Sequence, residues 1–312
     1  MREAAVILAG AIAFDLLVGE PPARLHPVVW IGKMQSTLRR LAAPPTLSPA
    51  PAFCVGLLMA IAGPLLFGAG SWWALSALAA FALPLRLVIA IYLLKSAFAA
   101  RALAAAGHAV RRPLEGNDLP AARAALGRNL VSRDTADLSA GEIAGAAIES
   151  VAENASDSVV APLFYYVVGG VPAALAYRAV NTLDAMIGYR GETEWLGKAA
   201  ARLDDLANFI PARVTALLLA VASGAGDGSP LRALALWFRD GRKTESPNAG
   251  RPMATMAGAL GVELSKRDAY VLGAGMRAPA AVDLRRALRI FAVTAAIAFG
   301  VALAATVAGV GP

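Results

Sequence analysis

From Leu41 to Leu85 the chain carries no charged residue, and this run limits the folds open to it more than any other feature. It is too long for one buried strand or one core helix, so something other than water must solvate it. Lipid is the natural solvent, since each crossing of a bilayer takes roughly 20 apolar residues. Composition agrees: 58% of the 312 residues are hydrophobic and only 16% charged, against about 25% charged in soluble domains. The expected class is all-α. The chain reads as a polytopic helical integral membrane protein with broken or re-entrant central helices and polar cytoplasmic helical regions, forming a single membrane-embedded catalytic domain over residues 1–312.

Membrane segments are expected near residues 4–18, 53–69, 72–94 and 290–310, with partial ones near 158–177 and 206–222. Asp15 interrupts the first, and Met1-Arg2-Glu3 is a poor basic leader, so a retained helix is expected there rather than a cleaved signal peptide. The second and third read as a hairpin turning at Gly70-Ser71, with Trp72 and Trp73 in the interfacial belt. Pro162, Gly169-Gly170 and Pro172 break the fourth, and Pro211 with Arg213 disturbs the fifth. Broken helices are tolerated at membrane depth where protein buries their backbone. The intervening polar stretches read as helical, with no alternating strand pair and no internal repeat.

The formal charge is +7, and Lys and Arg lie mostly between the apolar runs. That pattern marks cytoplasmic loops and points to a bacterial inner membrane with the active site facing the cytoplasm. The basic residues alternate with acids and form no aromatic-rich stripe, so nucleic acid is not an expected partner. Cys54 is the single cysteine and His26 and His108 are the two histidines, which excludes an intrachain disulfide and makes a multi-histidine metal site a poor fit.

Three polar clusters border apolar runs. Glu149 and Glu153 stand at i and i+4 on one helix face with Asn154 and Asp157 beside them; like charges at that spacing repel unless a cation relieves them. Mg²⁺, which takes one or two carboxylates plus phosphate and water, is such a cation. Tyr177, Arg178, Asn181 and Asp184 recur at helical spacing after an apolar segment, where an unpaired charge is costly. Asp204, Asp205 and Asn208 repeat the acid and amide combination beside Arg202. Together they suggest one shared polar site holding metal and phosphate; the blander reading is mutual salt bridges and a solvated acidic face. Arg178, Arg190, Arg202 and Arg213 offer forked donors for phosphate, though each taken singly is more often a charge partner. Ser246-Pro247-Asn248-Ala249-Gly250 is a turn that would let a ligand approach the backbone. His26, beside Pro27, is a candidate base or substrate contact, though a lone His beside Pro is more often a structural hydrogen-bond partner. Gly191 to Lys198 fails as a P-loop, with Ala199 where Ser or Thr is needed, and no Gly-x-Ser-x-Gly elbow occurs.

The ordered motifs resemble those of the adenosylcobinamide-phosphate synthases of cobalamin biosynthesis, the CobD/CbiB family. The resemblance runs through most of the chain: Asp15 with Gly19-Glu20-Pro21-Pro22 and His26-Pro27, Arg133-Asp134-Thr135, Glu149 to Asn154, and Tyr177 to Asp184. It continues through Gly188-Tyr189-Arg190, Ala201 to Asn208, Pro211-Ala212-Arg213 and Ser246 to Gly250. Ala155, Ser158 and Arg251 depart from the pattern, the last standing where an aromatic residue is common.

What the resemblance implies is an amide-forming ligase. It would join a propionate of adenosylcobyric acid to (R)-1-aminopropan-2-yl phosphate, or a related amino alcohol, giving adenosylcobinamide phosphate at the expense of ATP and with Mg²⁺. Glu149, Glu153, Asp184, Asp204 and Asp205 are then expected to be catalytic and to hold Mg²⁺ with its phosphates, one of them free to act as general base. Asn154, Asp157, Arg178, Asn181, Arg190, Arg202, Asn208, Ser246, Asn248 and His26 are expected to contact substrate. A homo-oligomer or a larger corrinoid-biosynthesis complex is compatible with these features. The rival classes are a Mg²⁺-dependent intramembrane prenyl- or phosphotransferase, which would release a leaving group from a lipid donor, and a corrinoid transporter component, which would move substrate unchanged.

Overall fold

Long apolar helices dominate the computed structural model, which describes residues 2–42, 47–79, 83–188, 194–225, 228–267 and 269–311. In chain order they begin with α1 (Arg2–Leu17), α2 (Pro27–Ala42), α3 (Pro49–Pro64), α4 (Gly70–Ala79) and α5 (Leu83–Ala97). Next come α6 (Ala100–Glu115), α7 (Leu119–Asn129), α8 (Ala140–Ala155), α9 (Ala161–Ile187) and α10 (Glu194–Ala207). The last are α11 (Phe209–Ser223), α12 (Pro230–Asp240), α13 (Gly250–Leu260) and α14 (Ala281–Val307). Single π-helical turns, Leu65–Ala69 and Ser156–Val160, follow α3 and α8.

Four helical stretches are long and apolar enough to cross a membrane: Pro49–Ala79, Leu83–Glu115, Ala140–Ile187 and Ala281–Val307. The broken pair Glu194–Ala207 and Phe209–Ser223 makes a fifth if counted as one span. The protein is thus a polytopic helical membrane protein.

The chain divides into two compact units built from interleaved segments: Met1–Ala99, Ala161–Ala207 and Phe299–Pro312 form one, Ala100–Val160 and Asn208–Ala298 the other. In the first, Met59 and Ala60 of α3, Leu183 and Ile187 of α9, and Leu196 and Ala200 of α10 form a buried apolar cluster. That cluster fixes the polar faces of α9 and α10 beside each other. In the second, α13 is buried along its whole length and packs against α8, α11 and α12. A capping box, in which Ser139 and Glu142 satisfy each other's end of the helix, starts α8.

The expected break in the middle of the chain is present. Within α9, Gly169 and Gly170 leave helical geometry, and Gly170 has φ 67° and ψ −160°, a conformation that is essentially glycine's alone. Pro172 follows in the first turn of the resumed helix, where a missing N–H costs nothing.

Two expectations are corrected. The chain does not turn at Gly70-Ser71: Gly70 is helical at φ −62°, ψ −42°, and the helix runs on to Ala79. The Ser71 hydroxyl donates to the Gly68 carbonyl (2.8 Å), so neither residue needs water to satisfy it. Trp72 and Trp73 lie on this continuing helix with their side chains exposed. A strand pair also exists, β1 (Leu264–Lys266) antiparallel to β2 (Tyr270–Leu272) with Ser265 opposite Val271. Three residues per strand are too few to display an alternating pattern.

Candidate functional site

In the first unit the resumed half of α9 carries Tyr177, Arg178, Asn181 and Asp184, and α10 carries Asp204 and Asp205. Arg178 Nη1 donates to Asn181 Oδ1 (3.2 Å), and Asn181 Nδ2 donates to Asp204 Oδ1 (3.4 Å). The two predicted clusters are therefore bridged by one guanidinium–amide–carboxylate chain. Asp184 packs over Gly188, where an added Cβ would fall 2.0 Å from Asp184 Oδ1; the glycine makes room for that carboxylate. Arg202 stands 3.9 Å from Asp205 and is largely exposed, so that pair holds little energy. Tyr177 stacks on Tyr165, with centroids 5.0 Å apart, and the Tyr165 hydroxyl donates to the Ala207 carbonyl (3.0 Å). Arg190 lies outside the described residues.

The same unit contains a polar network at α1 and α5. Lys95 Nζ, fully buried, meets Asp15 Oδ1 at 3.1 Å and Glu20 Oε1 at 2.8 Å. His26 Nε2 lies 2.8 Å from Glu20 Oε2, and its Nδ1 accepts from the Val28 N–H (3.2 Å). Burial works against the ionised Glu20 carboxyl, but hydrogen bonds from His26 and Lys95 bring it below the usual carboxylate range. His26 is thus held by its neighbours on both ring nitrogens. The buried Asp15–Lys95 pair was not anticipated; the signal for it was an ionisable residue in each of two apolar segments, which must find one another.

In the second unit Glu149 and Glu153 project from α8, and Asn154 Nδ2 donates to the Ser150 carbonyl (2.9 Å). Glu149 is only 6% exposed. Its Oε1 has no hydrogen-bond partner among the described residues, although Arg133, Tyr270, Glu153 and Lys266 are close enough to act on the carboxylate. Burial, and then the charges of Glu149 and Glu153, push the Tyr270 phenol well above its ordinary value, so it keeps its proton, and its hydroxyl points to Met253 Sδ (3.8 Å). An unpartnered oxygen on a carboxylate shielded from water is expensive. Tyr270, Arg133 and Lys266 had no place in the predicted set. Arg133 stood in a recognised motif, while Tyr270 and Lys266 sit on strands too short to read.

Asp157 lies in the π-helical turn after α8. Asn208 is nearly fully buried at the start of α11. Asn248, also buried, accepts from Arg213 Nη1 (3.3 Å), and Ser246 Oγ accepts from the Asn248 N–H (3.2 Å). The expected five carboxylates divide between the units, Asp184, Asp204 and Asp205 in one and Glu149 and Glu153 in the other. Among the described residues no three His, Cys, Asp or Glu side chains form a group able to hold a metal ion.

Fold and site together define a polytopic helical membrane protein whose ionisable and polar residues pair with one another along its apolar helices. The comparisons give that class its family. The pattern of the CobD/Cbib protein family matches residues 8–299. The cobalamin biosynthesis protein CobD of Dehalococcoides mccartyi is 43% identical over 267 residues, 86% of each chain. That of Klebsiella pneumoniae is 37% identical over 308 residues, 94% of this chain and 95% of its own. A probable cobalamin biosynthesis protein CobD of Methanocaldococcus jannaschii is 36% identical over 92% of both. No solved structure matches. The chain belongs to the CobD/CbiB family, and its role lies in cobalamin biosynthesis.

Proposed function

We propose that the protein is the amide-forming ligase that joins adenosylcobyric acid to (R)-1-aminopropan-2-yl phosphate or a related amino alcohol, consuming ATP with Mg²⁺. The observation that carries this reading is Glu149: a carboxylate 6% exposed, one oxygen unpartnered, set a helical turn from Glu153 in a chain of this family. An ionised propionate is a poor electrophile. Phosphoryl transfer from ATP makes it an acyl phosphate; the amine then attacks, the C–N bond forms, the C–O bond breaks and inorganic phosphate leaves. The surplus proton of the amine passes to a carboxylate base.

The donor sets fit a cation that brings its own oxygens. Mg²⁺ needs one or two carboxylates when phosphate and water complete its six positions, so a protein cage of three acids is not required. Glu149 and Glu153 in one unit are one such donor set, and Asp184, Asp204 and Asp205 in the other are a second; bound at either, the cation would neutralise phosphate charge. Arg178 is held on Asn181 at 3.2 Å, an orientation suited to a phosphate oxygen, and Arg190 and Arg202 are proposed for the same task. Asn154, Asn181 and Asn208 would orient ligand or substrate amides, Asp157 and His26 would contact substrate, and Ser246 with Asn248 would present a backbone turn to it.

Mass spectrometry of the product tests the reading. Purified protein given both substrates, ATP and Mg²⁺ should yield adenosylcobinamide phosphate, and omission of any one should abolish it. Glu149→Gln should lower turnover by about 100-fold or more while the protein still elutes and melts as a folded species. Movement of a corrinoid into sealed vesicles without covalent change, or release of diphosphate from a lipid donor, would replace the proposal.

A further inference from the structure

We propose that Arg213, Arg242 and Arg251, gathered around the Asn248 turn, form a binding site for the phosphoryl group of a small soluble ligand. The inference rests on the ligase reading only for the identity of that ligand, either the nucleotide or the amino-alcohol phosphate.

Arg251 is the unusual member. It sits in the first turn of α13, is only 8% exposed, and its Nε has no hydrogen-bond partner among the described residues. Gly241 leaves the lane that this side chain follows, since a Cβ there would fall 3.2 Å from Arg251 Cδ. A snorkelling arginine carries its head group out to water; this one is buried. Burial, and then the Arg242 charge, hold its guanidinium below the ordinary arginine value, so the cation is destabilised where it stands.

Two further arginines stand close to it. Arg251 and Arg242 both act on Arg213. Arg213 is fixed in place: Nη1 donates to Asn248 Oδ1 (3.3 Å) and to the Phe209 carbonyl, and its guanidinium lies 3.5 Å over the Phe209 ring. The positive end of α13 adds its dipole, with Ala249 at the N-cap supplying no side-chain acceptor. Gly250 keeps the turn tight, because a Cβ there would meet Thr244 Oγ1 at 2.6 Å. Converging cations, one of them buried with an unpartnered Nε, call for an anion, and the planar fork of arginine matches phosphate oxygens in pairs.

The test uses the full chain in a maltoside detergent, which carries no phosphate, with titrations of Mg·ATP, 1-aminopropan-2-yl phosphate and inorganic phosphate. Arg251→Met and Arg242→Met should each weaken at least one of these ligands about tenfold, and Arg251→Lys should weaken it less. Loss confined to ATP assigns the site to the nucleotide, and loss confined to the amino-alcohol phosphate assigns it to the acceptor. Arg242 is exposed, so its variant decides the matter if Arg251→Met fails to fold. Affinities unchanged within twofold for all three probes, or no binding by the unmodified protein, overturn the site. Amide product made with unweakened binding in both variants removes this site alone; binding without product removes the ligase reading and leaves the site.

Discussion

At the scale of single residues, Asp240 is the clearest case of a buried charge made tolerable by its partners. Its side chain is fully buried, yet it accepts from Arg239 Nε (2.9 Å) and Nη2 (2.8 Å), from Lys243 Nζ (2.6 Å) and from the Gly273 N–H (2.7 Å). Burial alone would raise its pKa; the Arg239, Lys243 and Gly273 donors overcome that and hold the carboxyl far below the usual range. A carboxyl whose pKa is depressed by folding contributes its stability above its unfolded pKa and loses it as pH falls through the folded one. Asp240→Asn should therefore melt lower than the unmodified protein at pH 7, by the equivalent of about 2 kcal/mol, and the gap should narrow steadily below about pH 4. Thermal melts of both proteins across that range check it, and a gap constant with pH would mean that the ionised form of Asp240 contributes nothing. Arg239 and Lys243 are near Asp240 in the chain, but its bond to Gly273 could not be read, because α13 and the strand pair lie between them. Glu149 and Glu153, by contrast, were legible, since their shared helix face follows from spacing alone.

At the scale of elements, legibility follows how local the cause is. The break in α9 could be read because Gly169, Gly170 and Pro172 stand together, and each disfavours continuous helix for its own reason. The supposed turn at Gly70-Ser71 misled because one glycine in an apolar run does not stop a helix whose serine can return its hydroxyl to the preceding turn. Gly170 should be the less replaceable of these glycines. With φ 67° and ψ −160°, any side chain there is strained by about 1–3 kcal/mol, whereas Gly70 is helical and a Cβ on it would meet nothing within 4 Å. Gly170→Ala should lower the melting temperature in detergent while Gly70→Ala leaves it level or raises it slightly. Equal behaviour of the two variants would show that α9 does not depend on its kink. Arg178, Asn181 and Asp184 follow that kink on the same helix, so loss of activity in Gly170→Ala beyond its loss of folded protein would tie the break to the site.

Across the whole molecule the chain passes between its two units repeatedly, at Ala99, Val160, Ala207 and Ala298. Interleaving and plain sequence distance together explain why motifs were recognisable one by one while their partners were not. Tyr270 and Glu149 come from segments of one unit divided by the other unit's Ala161–Ala207, while Lys95 reaches Asp15 and Glu20 within one segment, across separations that no local pattern encodes. Orientation in the membrane is a different matter, since it is governed by where basic residues fall between apolar runs. The stretch from Arg101 to Arg133 holds six arginines, and we expect it to face the cytoplasm, where ATP would be drawn. Cys54 is the single cysteine, so Cys54→Ser gives a background free of thiols, and Ala124, exposed on α7, can then be changed to cysteine. A membrane-impermeant maleimide should label that cysteine in inverted vesicles and leave it unlabelled in intact spheroplasts. Labelling in the spheroplasts instead would put α7 on the outer face, and with it the Glu142 end of the helix that carries Glu149; an ATP-consuming site reached from that side would have no supply of nucleotide.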